Sequence, residues 1–233
     1  MVIVNTVVIV RALLGRPAGD LALALAGFGA GSMAAALLLP RVLDRMSDRA
    51  VMLPAAGFLG VMLLAFAGLL FGVLRSDPDA AFGAGLVWPG LLATWALLGL
   101  GYSAVLTPTG RLLRRSAQAT DRPALFAAQF ALSHACWLVT YPLAGWLGTK
   151  AGMPTTLLVL GAVTLVAAGL AVVLWPADDP EILAHAHPDL APDHPHLREG
   201  HTDGERPRSG DGPRHAHAFV IDDLHQRWPA ARA

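Results

Sequence analysis

Long uncharged stretches alternate in this chain with short charged connectors. Residues 20–39 and 50–74 hold no Lys, Arg, Asp or Glu beyond Asp20, and between them lies Pro40-Arg-Val-Leu-Asp44-Arg45-Met-Ser47-Asp48-Arg49. A connector this short between segments this long predicts a helical hairpin in a bilayer, since about 20 apolar residues span about 30 Å of hydrocarbon. The same pattern predicts five full spans, at about 20–40, 51–74, 82–108, 123–148 and 153–176. The first apolar run, 1–14, covers only about 21 Å as a helix. It is either a re-entrant or interfacial segment, or the second half of a spanning helix that starts earlier. Met-Val-Ile-Val-Asn5-Thr6-Val-Val-Ile-Val reads like a helix interior, which favours the second.

The pattern changes at residue 177. Residues 1–176 form a transmembrane helical domain and residues 177–233 a polar, His-rich tail. Pro, Gly and Asp are dense from 188 to 213, which predicts a mostly disordered segment. A short amphipathic element is expected at 218–228, because Ile221, Leu224 and Trp228 recur at helical spacing. It would dock on the protein's cytoplasmic face, the bilayer surface or a partner.

Lys and Arg set orientation. The loop after the first full span holds Arg41, Arg45 and Arg49, and the loop at 109–122 holds Arg111, Arg114, Arg115 and Arg122. The alternate loops hold only Arg16, Arg75 and Lys150. The two Arg-rich loops are therefore expected in the cytoplasm together with the tail. The expected location is a plasma membrane, that is, a bacterial inner membrane.

Composition agrees with the spans. The chain of 233 residues is 55% hydrophobic and 15% charged, against about 25% charged for a soluble domain. Its zero formal charge, with no Lys/Arg cluster interleaved with aromatics, gives no sign of nucleic-acid binding. The single cysteine, Cys136, excludes an intrachain disulfide. The N-terminus lacks the features of a secretory signal peptide. No phosphate loop, G-x-S-x-G or H-E-x-x-H occurs, so no enzyme is expected. Gly27, Gly29 and Gly31 make a small-residue stripe, and Gly68-x-x-x-Gly72 a small pair, of the kind that lets membrane helices approach closely. Pro54, Pro89 and Pro142 fall inside spans, where kinks are tolerated.

Residues 145–154, Gly145-Trp-Leu-Gly-Thr149-Lys150-Ala-Gly152-Met-Pro, overlay residues 40–49 with Lys150 on Arg45. Each lies between the second and third helix of a three-helix unit, and the charge count puts the two turns on opposite sides. That is the mark of an inverted repeat. Here the chain resembles the major facilitator superfamily, whose loop motif is G-x-x-x-D-[RK]-x-G-[RK]-R. Asp44, Arg45 and Arg49 match it, whereas Pro40, Ser47 and Asp48 depart from it. Gly145, Lys150 and Gly152 look like a decayed copy. The resemblance covers residues 1–176 and implies helices seven (partial) to twelve, the C-terminal half of a transporter. It implies an all-α membrane protein: five full transmembrane helices plus one partial, in two inverted three-helix repeats. Asp44, Arg45 and Arg49 would belong to a cytoplasmic gating latch; otherwise the loop merely sets topology.

Ionisable groups inside a bilayer are functional candidates, and the full spans offer almost none. His134 lies at 123–148 with Gln129, Ser133 and Cys136; Gln129 and Ser133 share a helical face, and His134 and Cys136 lie off it. His134 is a candidate proton-relay or substrate group, or a neutral imidazole bonded to a neighbouring helix. Asn5 and Thr6 are candidates for a central cavity. Trp95, Tyr102, Trp137 and Tyr141 are candidates for an amphipathic solute, or for packing. All nine histidines but His134 fall in residues 185–225. His185-x-His187, His194-x-His196 and His215-x-His217 each suit one side of an extended strand, and imidazole suits Zn²⁺ or Ni²⁺. Asp189, Asp193 and Asp203 would add oxygens. Weak Zn or Ni binding is the expectation here, the alternative being a solvated polar tail.

The function expected is a secondary transporter moving a small solute by alternating access, as proton-coupled efflux. The acidic coupling group is then expected in the half beyond this sequence, or in a second protomer, and metal efflux is a variant suggested by the tail. The alternatives are a non-transporting membrane protein with a metal-binding or metal-sensing tail, and an inactive transporter fragment.

Overall fold

The computed structural model describes residues 1–75, 81–177, 182–187, 189–191, 193–198 and 214–228. It divides into two compact units, Met1–Gly110 with Ala127–Pro176, and Arg111–Phe126 with Ala177–Ala233.

The first unit is a helical bundle. Helix α1 (Val2–Val7) continues as a π-helix (Val8–Leu13), in which the Leu14 N–H donates to the Ile9 carbonyl at 2.9 Å. There follow α2 (Ala18–Leu43), α3 (Asp48–Arg75), α4 (Ala81–Arg115), α5 (Arg122–Lys150) and α6 (Gly152–Leu174). Among the described residues these last five are long and apolar enough to cross a membrane, with Val2–Leu13 as a shorter apolar helix. The chain is an all-α membrane protein.

The connectors are shorter than the sequence suggests. Pro40 lies within α2, so the charged loop contracts from 40–49 to residues 44–47. A proline in the last turn lacks only its own N–H, while its carbonyl still accepts from the Asp44 N–H at 3.0 Å. The Ser47 hydroxyl accepts from the Ala50 N–H at 3.3 Å, an N-cap for α3. At the other copy, α5 passes to α6 through Ala151, and Gly152 takes φ +82°, a conformation open to glycine.

Close backbone crossings hold the bundle together. A Cβ on Gly31 would sit 1.8 Å from the Ala96 carbonyl oxygen, and one on Gly99 2.0 Å from that of Phe28, so α2 and α4 touch backbone to backbone. Gly60 and Gly161 bring α3 and α6 together in the same way, each 3.1 Å from the other's carbonyl oxygen if given a Cβ. Helix α1 meets α5 where the Asn5 amide donates to the Ala144 carbonyl at 3.2 Å. These pairings, α2 with α4, α1 with α5 and α3 with α6, are the ones that interchange when α1–α3 is mapped on α4–α6. The expected glycine stripe is only partly used. Gly27 and Gly31 face α4, whereas Gly29, Gly68 and Gly72 have open space where a Cβ would stand. The core lies around Trp95, Phe66, Leu91 and Leu157.

In the second unit, β1 (Ile182–Ala186) pairs antiparallel with β2 (Arg214–Ala218), placing His185 opposite His215 and Leu183 opposite His217. A short helix, α7 (Pro195–Arg198), lies between them in sequence. Most of the stretch expected to be disordered, including 199–213, lies outside the described residues. The amphipathic element expected at 218–228 is not helical. The Asp222 carboxylate accepts from the Leu224 and His225 N–H groups at 2.9 and 2.8 Å, which closes a turn that competes with helix. Ile221 is buried, and its N–H donates to the Arg115 carbonyl at 3.0 Å; the Arg115 guanidinium lies 5.6 Å from the Trp228 ring. The end of the tail thus packs on the segment joining α4 to α5.

Candidate functional site

Two of the residues expected to line a cavity are committed to structure. The Trp95 indole N–H donates to the Thr6 hydroxyl at 2.8 Å, and that hydroxyl donates to the Val2 carbonyl. Asn5 is bound to Ala144, and all three side chains are buried. A buried indole N–H needs an acceptor, which is why Thr6 stands here. Trp95 therefore belongs to the core, edge-on to Phe66 with ring centroids 5.6 Å apart.

Arg49 is also occupied. Its Nε donates to the Trp175 carbonyl at 3.2 Å and its Nη2 to that of Val172 at 3.3 Å. A cation on the last carbonyls of α6 offsets the negative end of the helix dipole, so Arg49 ties the start of α3 to the end of α6. Asp44 and Arg45 are exposed, and the Arg45 guanidinium donates to the Arg41 carbonyl at 3.2 Å.

Helix α5 carries the polar face of the unit. Gln129, Ser133, Cys136 and Thr140 recur at i, i+4, i+7 and i+11, so Cys136 lies on the Gln129–Ser133 face rather than off it as expected, and beside them Phe130, His134, Trp137 and Tyr141 recur with the same spacing. The second row is a ladder of rings, with successive centroids 3.8, 4.5 and 5.7 Å apart. The first row is continuous with Ala144 and Leu147, the buried residues of α5; along the two rows themselves Phe130 is 62% and Trp137 39% exposed, and His134 and Cys136 are exposed. The remaining arc is aliphatic, with Leu132 69% and Val139 67% exposed, so the two sides of α5 differ in chemistry rather than in burial. Ser133 and Thr140 return their hydroxyl protons to their own helix, at the Phe130 and Cys136 carbonyls. The Nδ1 of His134 lies 2.8 Å from the Phe130 carbonyl. If Nδ1 donates there, the tautomer is fixed and Nε2 is left as the acceptor. Of the sequence candidates, Gln129 and His134 thus lie in neighbouring rows of α5, whereas Asn5 and Thr6 are bound into the core.

The second unit gathers the other histidines. His185, His196, His215, His217 and His225 place one ring nitrogen each within 4.8 Å of one another, and His187 is buried against them, 4.9 Å from His185 between ring centroids. His194 falls outside this group and accepts from the His196 N–H instead. His225 enters it through the Asp222 turn, having no H-x-H partner to mark it in sequence. The only legible signal was its place after two acidic residues.

The nitrogens of this group converge on each other. His185 Nε2 lies 2.8 Å from His225 Nε2 and 3.1 Å from His215 Nε2. The outer nitrogens are held by acceptors: His185 Nδ1 by the Leu183 carbonyl at 3.0 Å, His217 Nδ1 by that of Ala218 at 2.8 Å, and His225 Nδ1 by the Asp222 carboxylate at 2.8 Å. With Nδ1 protonated in this way, the Nε2 atoms of His185 and His225 meet as lone pairs; Nδ1 of His215 is buried with no hydrogen-bond partner among the described residues. Nε2 of His187, His196 and His217 is buried with no hydrogen-bond partner among the described residues, and each such atom costs about 1–3 kcal/mol. Burial, and the neighbouring imidazoles after it, push His185 and His215 down to about 4. Burial opposes ionisation of Asp222, but its hydrogen bonds from His225 and Leu224 outweigh that and hold its carboxyl below the ordinary range.

The sequence profile of the Major Facilitator Superfamily matches residues 1–204. The chain belongs to the Major Facilitator Superfamily. The expected membership is thereby established, and with it a membrane transporter of the major facilitator type. No curated protein and no solved structure matches the chain. Within this superfamily, the five long apolar helices of the first unit are spanning segments, and α5 carries Gln129 and His134 inside one of them.

Proposed function

We propose that this major facilitator unit forms one wall of a path for a small amphipathic solute, exported by proton-coupled alternating access. The observation that carries this reading is the α5 arc. Imidazole, hydroxyl and amide groups interleave with Trp137 and Tyr141 along one side of an apolar membrane helix. Aromatic faces attract an organic cation, and His134 supplies the imidazole, the group type that serves as a proton relay. An opposing six-helix half closes the path, supplied by further chain or by a second protomer, and carries the acidic coupling group. The Arg-rich loops and the tail lie in the cytoplasm of a bacterial inner membrane. Asp44 and Arg45 meet the opposing half, while Arg49 keeps α3 and α6 moving as one body.

The test is accumulation of a cationic aromatic dye in cells producing the chain with its opposing half. Accumulation should fall, rise again on adding a protonophore, and lose its pH dependence with His134→Gln. Accumulation indifferent to both the protein and the protonophore would sink this reading. An unchanged pH dependence in His134→Gln would remove His134 from proton coupling.

A further inference from the structure

Six imidazoles of the second unit, those of His185, His187, His196, His215, His217 and His225, are arranged as an octahedron. Twelve of their ring pairs have centroids 4.6–5.2 Å apart. Each ring therefore borders four others and stands across from one: His185 from His196, His187 from His217, and His215 from His225. The His185–His196 pair is correspondingly longer, at 6.5 Å. An octahedron has these twelve edges and three longer diagonals. A collapsed apolar cluster has no reason to produce that count, nor to aim ring nitrogens inward.

We infer that His185, His187, His196, His215, His217 and His225 form a six-nitrogen site for a first-row divalent transition-metal ion that accepts octahedral coordination, Ni²⁺ above all. A metal–imidazole bond of about 2.1 Å places neighbouring ligand atoms of an octahedron about 3.0 Å apart and opposite ones about 4.2 Å apart. The contacts at 2.8 and 3.1 Å fit the edges, and the 4.8 Å limit on five of the rings accommodates the His185–His196 and His215–His225 diagonals; His187 is outside that group of five and is placed by its ring, 4.9–5.2 Å from those of His185, His196, His215 and His225. A cation at the centre turns facing lone pairs and unpartnered nitrogens into ligands. Asp222, Leu183 and Ala218 hold the outer nitrogens of His225, His185 and His217, the second layer that orients metal-binding imidazoles. Neutral nitrogen donors exclude Mg²⁺ and Ca²⁺, which take oxygen. Structural Zn²⁺ sites are almost always four-coordinate. Among Mn²⁺, Fe²⁺, Co²⁺ and Ni²⁺, affinity rises to Ni²⁺. The site is independent of what the membrane unit carries, so its test and the transport test fail separately.

The experiment titrates Ni²⁺ into the purified full chain in detergent, made without a polyhistidine tag, by calorimetry, with X-ray absorption at the nickel edge on the loaded protein. One equivalent should bind with sub-micromolar Kd and show six nitrogen neighbours with imidazole outer-shell scattering. Removing an opposite pair with His215→Asn and His225→Asn should abolish this binding. Asp222→Asn, which leaves all six ligands in place, should weaken it roughly 10–100-fold at unchanged stoichiometry. His194→Asn and His134→Asn should bind like the parent. Circular dichroism shows whether the helices of each variant are intact, and if the double variant does not fold, Asp222→Asn carries the test. Binding no tighter than millimolar, a four-coordinate ion, full binding by the double variant, or parental affinity in Asp222→Asn would each overturn the inference.

Discussion

Gly31→Ala puts the packing of the membrane unit to a quantitative test. The added Cβ would stand 1.8 Å from the Ala96 carbonyl oxygen, 2.7 Å from its carbon and 3.1 Å from its Cα. All three are backbone atoms of α4, so no rotamer change relieves the clash. Relief requires α2 and α4 to separate, and at the neighbouring crossing of Gly99 with Phe28 the backbones are equally close. Membrane helices have little hydrophobic drive to associate and depend on such contacts. Overpacking of a well-packed contact costs about 1–3 kcal/mol, and an immovable backbone places this case at the upper end. Gly29→Ala on the same helix is the control, because a Cβ there meets open space and alanine improves helix propensity by about 1 kcal/mol. Unfolding of the full chain in mild detergent, followed by heat or by steric trapping, compares the two. Gly31→Ala should be destabilised and Gly29→Ala neutral or stabilised; equal stability would refute the backbone contact between α2 and α4.

Three further outcomes are expected. Trp95→Phe keeps the ring but removes the donor to Thr6, and should cost about 1–3 kcal/mol in the same unfolding assay, with Thr6→Val restoring part of the loss. Arg49→Ala should free the Val172 and Trp175 carbonyls and cost about 1 kcal/mol, read as faster hydrogen exchange at the end of α6. For the metal-free tail, burial, and the neighbouring imidazoles after it, lower His185 and His215 from 6.5 to about 4. The unfolded tail therefore binds more protons between those values, so the packed tail is fully stable above about pH 6.5 and loses stability as pH falls towards about 4. Exchange rates across Ile182–Ala186 and Arg214–Ala218, corrected for intrinsic pH dependence, should rise over that window; protection unchanged at pH 4.5 would contradict the packing.

The bundle was legible because lipid imposes one rule, long apolar segments between charged turns, and five long apolar helices follow from it; α4 runs on to Arg115, past the 108 expected. The turns were read too long at Pro40 because a proline near a helix end costs only a hydrogen bond that is already being lost. Glycine spacing announced close packing without saying which glycines pack. Gly60 and Gly161, far apart in sequence, make the α3–α6 contact, whereas Gly68 and Gly72 do not. Asn5 and Thr6 looked like cavity residues because polarity is visible in a sequence and its partner is not; Ala144 and Trp95 claim them. In the tail, the H-x-H pairs marked His185, His187, His215 and His217, since strand alternation is local. His225 reaches the group through a tertiary turn, and no spacing rule finds it.

The central claim is that one arc of α5 faces a water-filled path and the other faces lipid. Single cysteines placed at 129, 134, 137, 132 and 139 in a Cys136→Ser background, probed in native membranes with a membrane-impermeant thiol reagent, test it most directly. Gln129→Cys, His134→Cys and Trp137→Cys should react, and Leu132→Cys and Val139→Cys should not. Equal labelling of both arcs, or labelling of positions 132 and 139 alone, would contradict it.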